Sequence, residues 1–240
     1  MKRKIGAGLV RPPQLLGRPD LFLTVTPLLG WLGLILVRDR WMGLHCSKAP
    51  TTCTPDSVFA WDRWIIPLVN PTADRWSFFT QDFSAYFALS VAAYFCWREA
   101  RKPLAAAALA TRVGLDWLLI IQAVLWNGFI NEIVRLTVQR PRPFVYLDPV
   151  GYGTSPAHYT SFYSGHTSFS AACGAALFCL LLGHQASRRT LQWTAFVSAS
   201  LVFATGAGRV LSARHFLTDV VFAAVAASLI ALAVNLLHRR

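Results

Sequence analysis

Arginine, histidine and aspartate gather at three places in an otherwise apolar sequence. The first is Arg135-Leu136-Thr137-Val138-Gln139-Arg140-Pro141-Arg142-Pro143. Guanidinium groups hold phosphate oxygens through paired N–H bonds, and the prolines stop a helix and stiffen the chain that presents them. Taken alone, this run reads more simply as a positive anchor at a membrane edge. The second is Ser161-Phe162-Tyr163-Ser164-Gly165-His166-Thr167-Ser168. A Ser-Gly pair at a helix N-terminus aims backbone N–H groups outward, and glycine lets an anion come close. His166 then stands beside the bound group as a proton donor, although a lone histidine here is more often an interfacial polar residue. The third is Gly208-Arg209, followed by Arg214-His215 and Asp219. Four residues apart on a helix, His215 and Asp219 share one face. A carboxylate that accepts one ring N–H fixes the tautomer and leaves the other nitrogen free to attack. An aspartate in an apolar helix needs a reason of this kind.

The elements that must position these clusters are membrane helices. Of 240 residues, 55% are hydrophobic and only 14% charged, and apolar runs recur at close to bilayer-spanning length. Six spans can be read: Leu21–Val37, Phe78–Trp97, Val113–Val134, His166–Gly183, Leu191–Ala207 and Phe216–Leu237. The expected fold is all-α, a polytopic membrane helix bundle of about six helices with a surface helix or loop between the first two. It forms a single domain over residues 1–240, with residues 1–20 as a basic cytoplasmic segment. The run Leu21–Val37 ends in Arg38-Asp39-Arg40 without a small-residue cleavage site, so it reads as a retained helix rather than a removed signal. The second span is the least clean, because Gln81 and Asp82 sit near its start. The third holds Asp116 near one end and Asn127 and Asn131 nearer the other. Deep polar groups of that kind face a bundle interior.

A net charge of +12 raises the question of nucleic acid. Its placement answers it, since the basic residues lie mostly between the apolar runs, where they meet anionic headgroups. No nucleic-acid partner is needed. With both termini cytoplasmic, inside segments hold 13 of the 23 basic residues and outside segments ten, three of which the clusters above reserve for phosphate. That bias sets the orientation. The connection 38–77 then lies outside and carries Trp41, Trp61, Trp64 and Trp76, which favour the headgroup zone. It reads equally as a short surface helix or as a loop packed on the bundle mouth. Cys96, Cys173 and Cys179 fall in spans and read as small packing residues. Cys46 and Cys53 share the outside loop, where a disulfide is permitted; metal binding beside His45 is the weaker alternative.

In order and spacing, the three clusters resemble the type 2 phosphatidic acid phosphatase family, which shares its site with the vanadium haloperoxidases. The family pattern is Lys-x6-Arg-Pro, then Pro-Ser-Gly-His, then Ser-Arg-x5-His-x3-Asp. This sequence has Arg135-x6-Arg142-Pro143, Tyr163-Ser164-Gly165-His166 and Gly208-Arg209-x5-His215-x3-Asp219. The resemblance implies that His215 attacks phosphorus to form a phosphohistidine, while His166 protonates the leaving oxygen and later activates water. It implies that Asp219 orients His215, and that Arg135, Arg142, Arg209 and the Ser164–Gly165 amides hold the phosphate. No metal and no cofactor is implied, because the histidines and carboxylate already have covalent and acid–base roles.

Three departures stand out. Arg135 replaces the usual Lys and keeps the charge with a different geometry. Tyr163 replaces Pro, removing a rigid element before Ser164. Gly208 replaces Ser, removing a hydroxyl that could reach phosphate. The expected partners are membrane lipids, with a phospholipid, an isoprenoid lipid phosphate or a lipid A phosphate as substrate. The expected location is a bacterial inner membrane with the site facing the periplasm or exterior. Rival readings are a lipid-to-lipid phosphotransferase, distinguished by release of free phosphate from a single lipid, and a catalytically silent lipid-binding protein, distinguished by an activity assay. A haloperoxidase fits less well, since those relatives are mostly soluble.

Overall fold

A computed structural model describes residues 18–99 and 106–238. The basic segment expected at 1–20 lies, up to residue 17, outside the described residues. The described chain forms α1 (Arg18–Trp41), α2 (His45–Lys48), α3 (Ala60–Arg63), α4 (Pro71–Glu99), α5 (Ala106–Val138), α6 (Pro149–Tyr152), α7 (Gly165–Gly183), α8 (Arg188–Leu211) and α9 (Leu217–His238), with four short 3-10 turns between them. Six of these are long, and they match the six spans read from the sequence. Five of them, α1, α5, α7, α8 and α9, are long and apolar enough to cross a membrane. The sixth, α4, has 29 residues, about 43 Å at 1.5 Å per residue, but its first turns carry Asp74, Arg75, Thr80, Gln81 and Asp82. The protein is thus an all-α polytopic bundle.

Local chemistry sets the helix ends. Asn70 caps α4 by accepting from the N–H groups of Thr72 and Ala73 at 3.0 and 3.1 Å. Ser187 caps α8 in the same way, accepting from Thr190 at 3.2 Å. At the start of α9, Asp219 reaches back to the N–H of Phe216 at 2.9 Å, the reciprocal half of a capping box. The centre of the bundle is α7, whose Cys173, Ala176, Leu177, Leu180 and Leu181 are buried against Ala88, Ala92 and Phe95 of α4 and Ile120 and Ala123 of α5. Small side chains bring these helices close, which is what drives association where water supplies no hydrophobic force. The outer faces are apolar too: Leu36, Phe203 and Leu229 are 81%, 77% and 61% exposed, as suits lipid contact.

The N-termini of α4, α7 and α9 and the C-termini of α1, α5 and α8 meet at one end. Residues 42–70 fold over that end. They contain two single-turn helices, α2 and α3, amid loop and 3-10 turns, so the packed loop prevails over the surface helix. Val58, Ile65 and Ile66 bury against Val210 and Phe216, while Trp41, Trp61, Trp64 and Trp76 stay exposed. Cys46 and Cys53 form a disulfide inside this cap. Cys173 and Cys179 are buried packing residues. Cys96 differs from expectation, because its thiol donates to Asp116 at 2.8 Å.

Candidate active site

The three clusters, far apart in sequence, converge beneath the cap. Arg135 projects from the last turn of α5, Arg142 from the loop that follows, Ser164, Gly165 and His166 open α7, Arg209 closes α8, and His215 stands in the short turn before Asp219 on α9. The positive charges of Arg209, Arg142 and Arg135 act on His215, and those of the same three with Arg214 act on His166. Such a concentration of guanidinium groups is suited to holding an anion.

Each side chain is held. His215 is 1% exposed, and its Nδ1 lies 2.6 Å from the main-chain carbonyl of Ser161. A carbonyl only accepts, so Nδ1 carries the proton and Nε2 is the free base. Here the structure departs from the expected His–Asp pair. Asp219 Oδ2 is 3.9 Å from Nδ1, beyond hydrogen-bond range, because His215 precedes the helix instead of lying on it. Asp219 acts one step back: it accepts from Ser161 Oγ at 2.5 Å and from the Phe216 N–H, fixing both the residue that holds His215 and the one that follows it. Burial and the surrounding arginines push the His215 pKa well below the usual histidine range, so the ring is neutral. His166 packs edge-on against Phe78, ring centres 4.4 Å apart.

Most of the arginines are held by carboxylates that local sequence spacing did not single out. Arg209 pairs with Asp74 at 2.5 Å and Arg214 with the other oxygen of Asp74 at 3.0 Å. Arg135 lies 3.4 Å from Glu132, which also faces Arg38 at 3.6 Å. Arg140, noted in the first cluster but given no role, bridges Asp62 at 3.0 Å and Asp219 at 2.5 Å. Arg142 has no carboxylate partner among the described residues; it donates to Thr160 Oγ1 at 3.0 Å. Asp219 is already singled out beside His215; of the other partners, Asp62, Asp74 and Glu132, only Glu132 carried a local signal, three residues before Arg135 on one helix. Asp62 and Asp74 lie 78 and 135 residues from the arginines they meet.

The chain belongs to the PAP2 superfamily. That family's model matches residues 116–240, a stretch that contains all eight candidate site residues. No curated protein and no solved structure matches the chain significantly. Membership supports a phosphatase-type activity on a phosphorylated substrate.

The family departures now have structural explanations. A Cβ on residue 208 would lie 2.8 Å from the Ala73 carbonyl and 2.9 Å from Ser77 Cβ, so this position faces α4 and not the phosphate. Gly208 lets α8 approach α4 closely enough for Arg209 to reach Asp74 and Ser77. Tyr163 is buried, and its carbonyl accepts from Asn131 at 2.8 Å, so a side-chain tie stabilises the loop where the family uses proline. Asn127 donates to Ser168 at 3.0 Å; both asparagines face inward, as their depth in the span implied. At Gly165 a Cβ would lie 2.5 Å from Arg135 Nη2, so glycine is what admits the guanidinium against the start of α7.

Proposed function

We propose that the protein is a membrane lipid phosphatase that hydrolyses a phosphomonoester or diphosphate lipid at the outer membrane face through a phosphohistidine intermediate. The observation that carries this reading is the protonated Nδ1 of His215 on the Ser161 carbonyl, which leaves Nε2 unprotonated among Arg135, Arg142 and Arg209. In the first step Nε2 attacks phosphorus, the bond to the leaving oxygen breaks, and His166 donates its proton to that oxygen. In the second, His166 takes a proton from water, whose oxygen displaces the imidazole and releases inorganic phosphate. The three arginines and the amides at the start of α7 neutralise the equatorial oxygens, the main task in phosphoryl transfer. Asp219 holds Ser161 and, through it, His215. An apolar, lipid-facing bundle lets a substrate keep its tail in the membrane while its phosphate enters the arginine cluster.

The test is acid-labile, base-stable labelling from a radiolabelled substrate with a good leaving group. His215→Ala should give neither phosphate release nor labelled protein. His166→Ala should lose about 10²–10⁴-fold in turnover while still becoming labelled. Full turnover and labelling in His215→Ala would remove His215 as the nucleophile.

A further inference from the structure

At the end of the bundle opposite the arginines, three residues from three different helical segments meet. Cys96 comes from the last turns of α4, Asp116 from the early part of α5, and His184 caps the C-terminus of α7. The Cys96 thiol lies 2.8 Å from Asp116 Oδ2, and His184 Nε2 lies 2.9 Å from the same oxygen. All three donor atoms fall within 4.8 Å of one another. Cys96 is buried, whereas the side chains of Asp116 and His184 are 16% and 19% exposed, which leaves a path for an ion.

We propose that Cys96, Asp116 and His184 form a binding site for zinc or a similar borderline-soft divalent cation, separate from the phosphate site. Sulfur, nitrogen and carboxylate oxygen together are a donor set that suits zinc and disfavours magnesium or calcium. The geometry is close to what such an ion requires. Donors about 2.0–2.3 Å from a tetrahedral zinc stand roughly 3.4 Å apart, so the two contacts now bridged by protons open by about half an ångström, while Cys96 and His184, within 4.8 Å of each other, adjust to the same spacing. The charge also balances. The thiol releases its proton to solvent, and the proton on His184 Nε2 moves to Nδ1. One divalent cation then meets one thiolate, one carboxylate and a neutral imidazole, giving zero net charge in a partly desolvated place. A tetrahedral ion would complete its coordination with water or another donor. Because the ligands come from α4, α5 and α7, the ion would clamp these helices together at the end remote from catalysis.

The experiment uses full-length, tag-free protein in detergent, loaded with Zn2+ or with Co2+ as a spectroscopic stand-in. The expected result is one ion per chain by elemental analysis after gel filtration. Co2+ should give tetrahedral d–d absorption and a thiolate-to-cobalt charge-transfer band. Cys96→Ser should abolish that band, and His184→Ala should weaken binding at least about tenfold. Should Cys96→Ser fail to fold, the nearly isosteric Asp116→Asn keeps the thiol and should likewise bind at least about tenfold more weakly. Bound ion should raise the melting temperature by mass action. Absence of stoichiometric uptake by the folded wild-type protein would overturn the proposal, as would a charge-transfer band that survives in Cys96→Ser.

Discussion

At His215 a main-chain carbonyl, not a carboxylate, selects which ring nitrogen carries the proton. The consequence is measurable. Burial and three nearby arginines hold the His215 pKa well below its ordinary value of 6.5, so the neutral ring persists as the pH falls through 6.5. In 15N-histidine NMR of the anion-free protein, the Nε2 shift of His215 should remain that of an unprotonated nitrogen at pH 5.5–6, where a solvent-exposed histidine is largely protonated. A midpoint at or above pH 6.5 would show that the arginine field does not reach the ring. For stability the sign is the same: a histidine buried neutral favours the folded state above the unfolded pKa, and that contribution is lost as pH falls below it.

Helices and loops meet at two contacts that decide whether the site assembles. Asp62, wholly buried in the cap, accepts from Thr218 Oγ1 at 2.6 Å and pairs with Arg140, tying the loop between α1 and α4 to the start of α9. Removing one partner of a buried charge network costs about 3–5 kcal/mol, and because Asp219 still pairs with Arg140, Asp62→Ala should fall near about 3 kcal/mol. Thermal unfolding in detergent measures it, and an unchanged melting temperature would mean the cap does not stabilise α9. The second contact is Gly208 against α4. Restoring the family serine, Gly208→Ser, puts Cβ 2.8 Å from the Ala73 carbonyl. It should destabilise by about 1–3 kcal/mol and raise KM as Arg209 shifts. A stable and more active Gly208→Ser variant would instead restore the view that the missing hydroxyl matters for phosphate.

Across the whole molecule, every candidate site element lies at one end of the bundle, and the orientation expected from the bias of basic residues would put the other end in the cytoplasm. Reporter fusions after residue 238 and within 144–160 should therefore report opposite sides of the membrane, with the 144–160 fusion outside. Both on one side would mean that α4, the long helix with the polar start, does not cross. The Cys46–Cys53 disulfide agrees with an oxidising exterior at that end. The cap, the arginine cluster and the phosphate chemistry would then all face outward, while the Cys96 cluster faces in.

What the sequence by itself determined is what is written locally along the chain. Apolar length specified the long helices, since a bilayer leaves no other way to satisfy the backbone. The motif spacing, through its resemblance to a family pattern, singled out His166, His215, Asp219 and three arginines as candidates, because residues near each other in sequence at a helix end must be near each other in space. The tertiary structure decided the rest. Asp62 meets Thr218 across 156 residues and Asp74 meets Arg209 across 135, and no local period encodes a contact of that range. It also decided that Ser161 holds His215 while Asp219 holds Ser161. A four-residue spacing places two side chains on a common helical face only if both lie on the helix, and α9 begins at Leu217, two residues after His215.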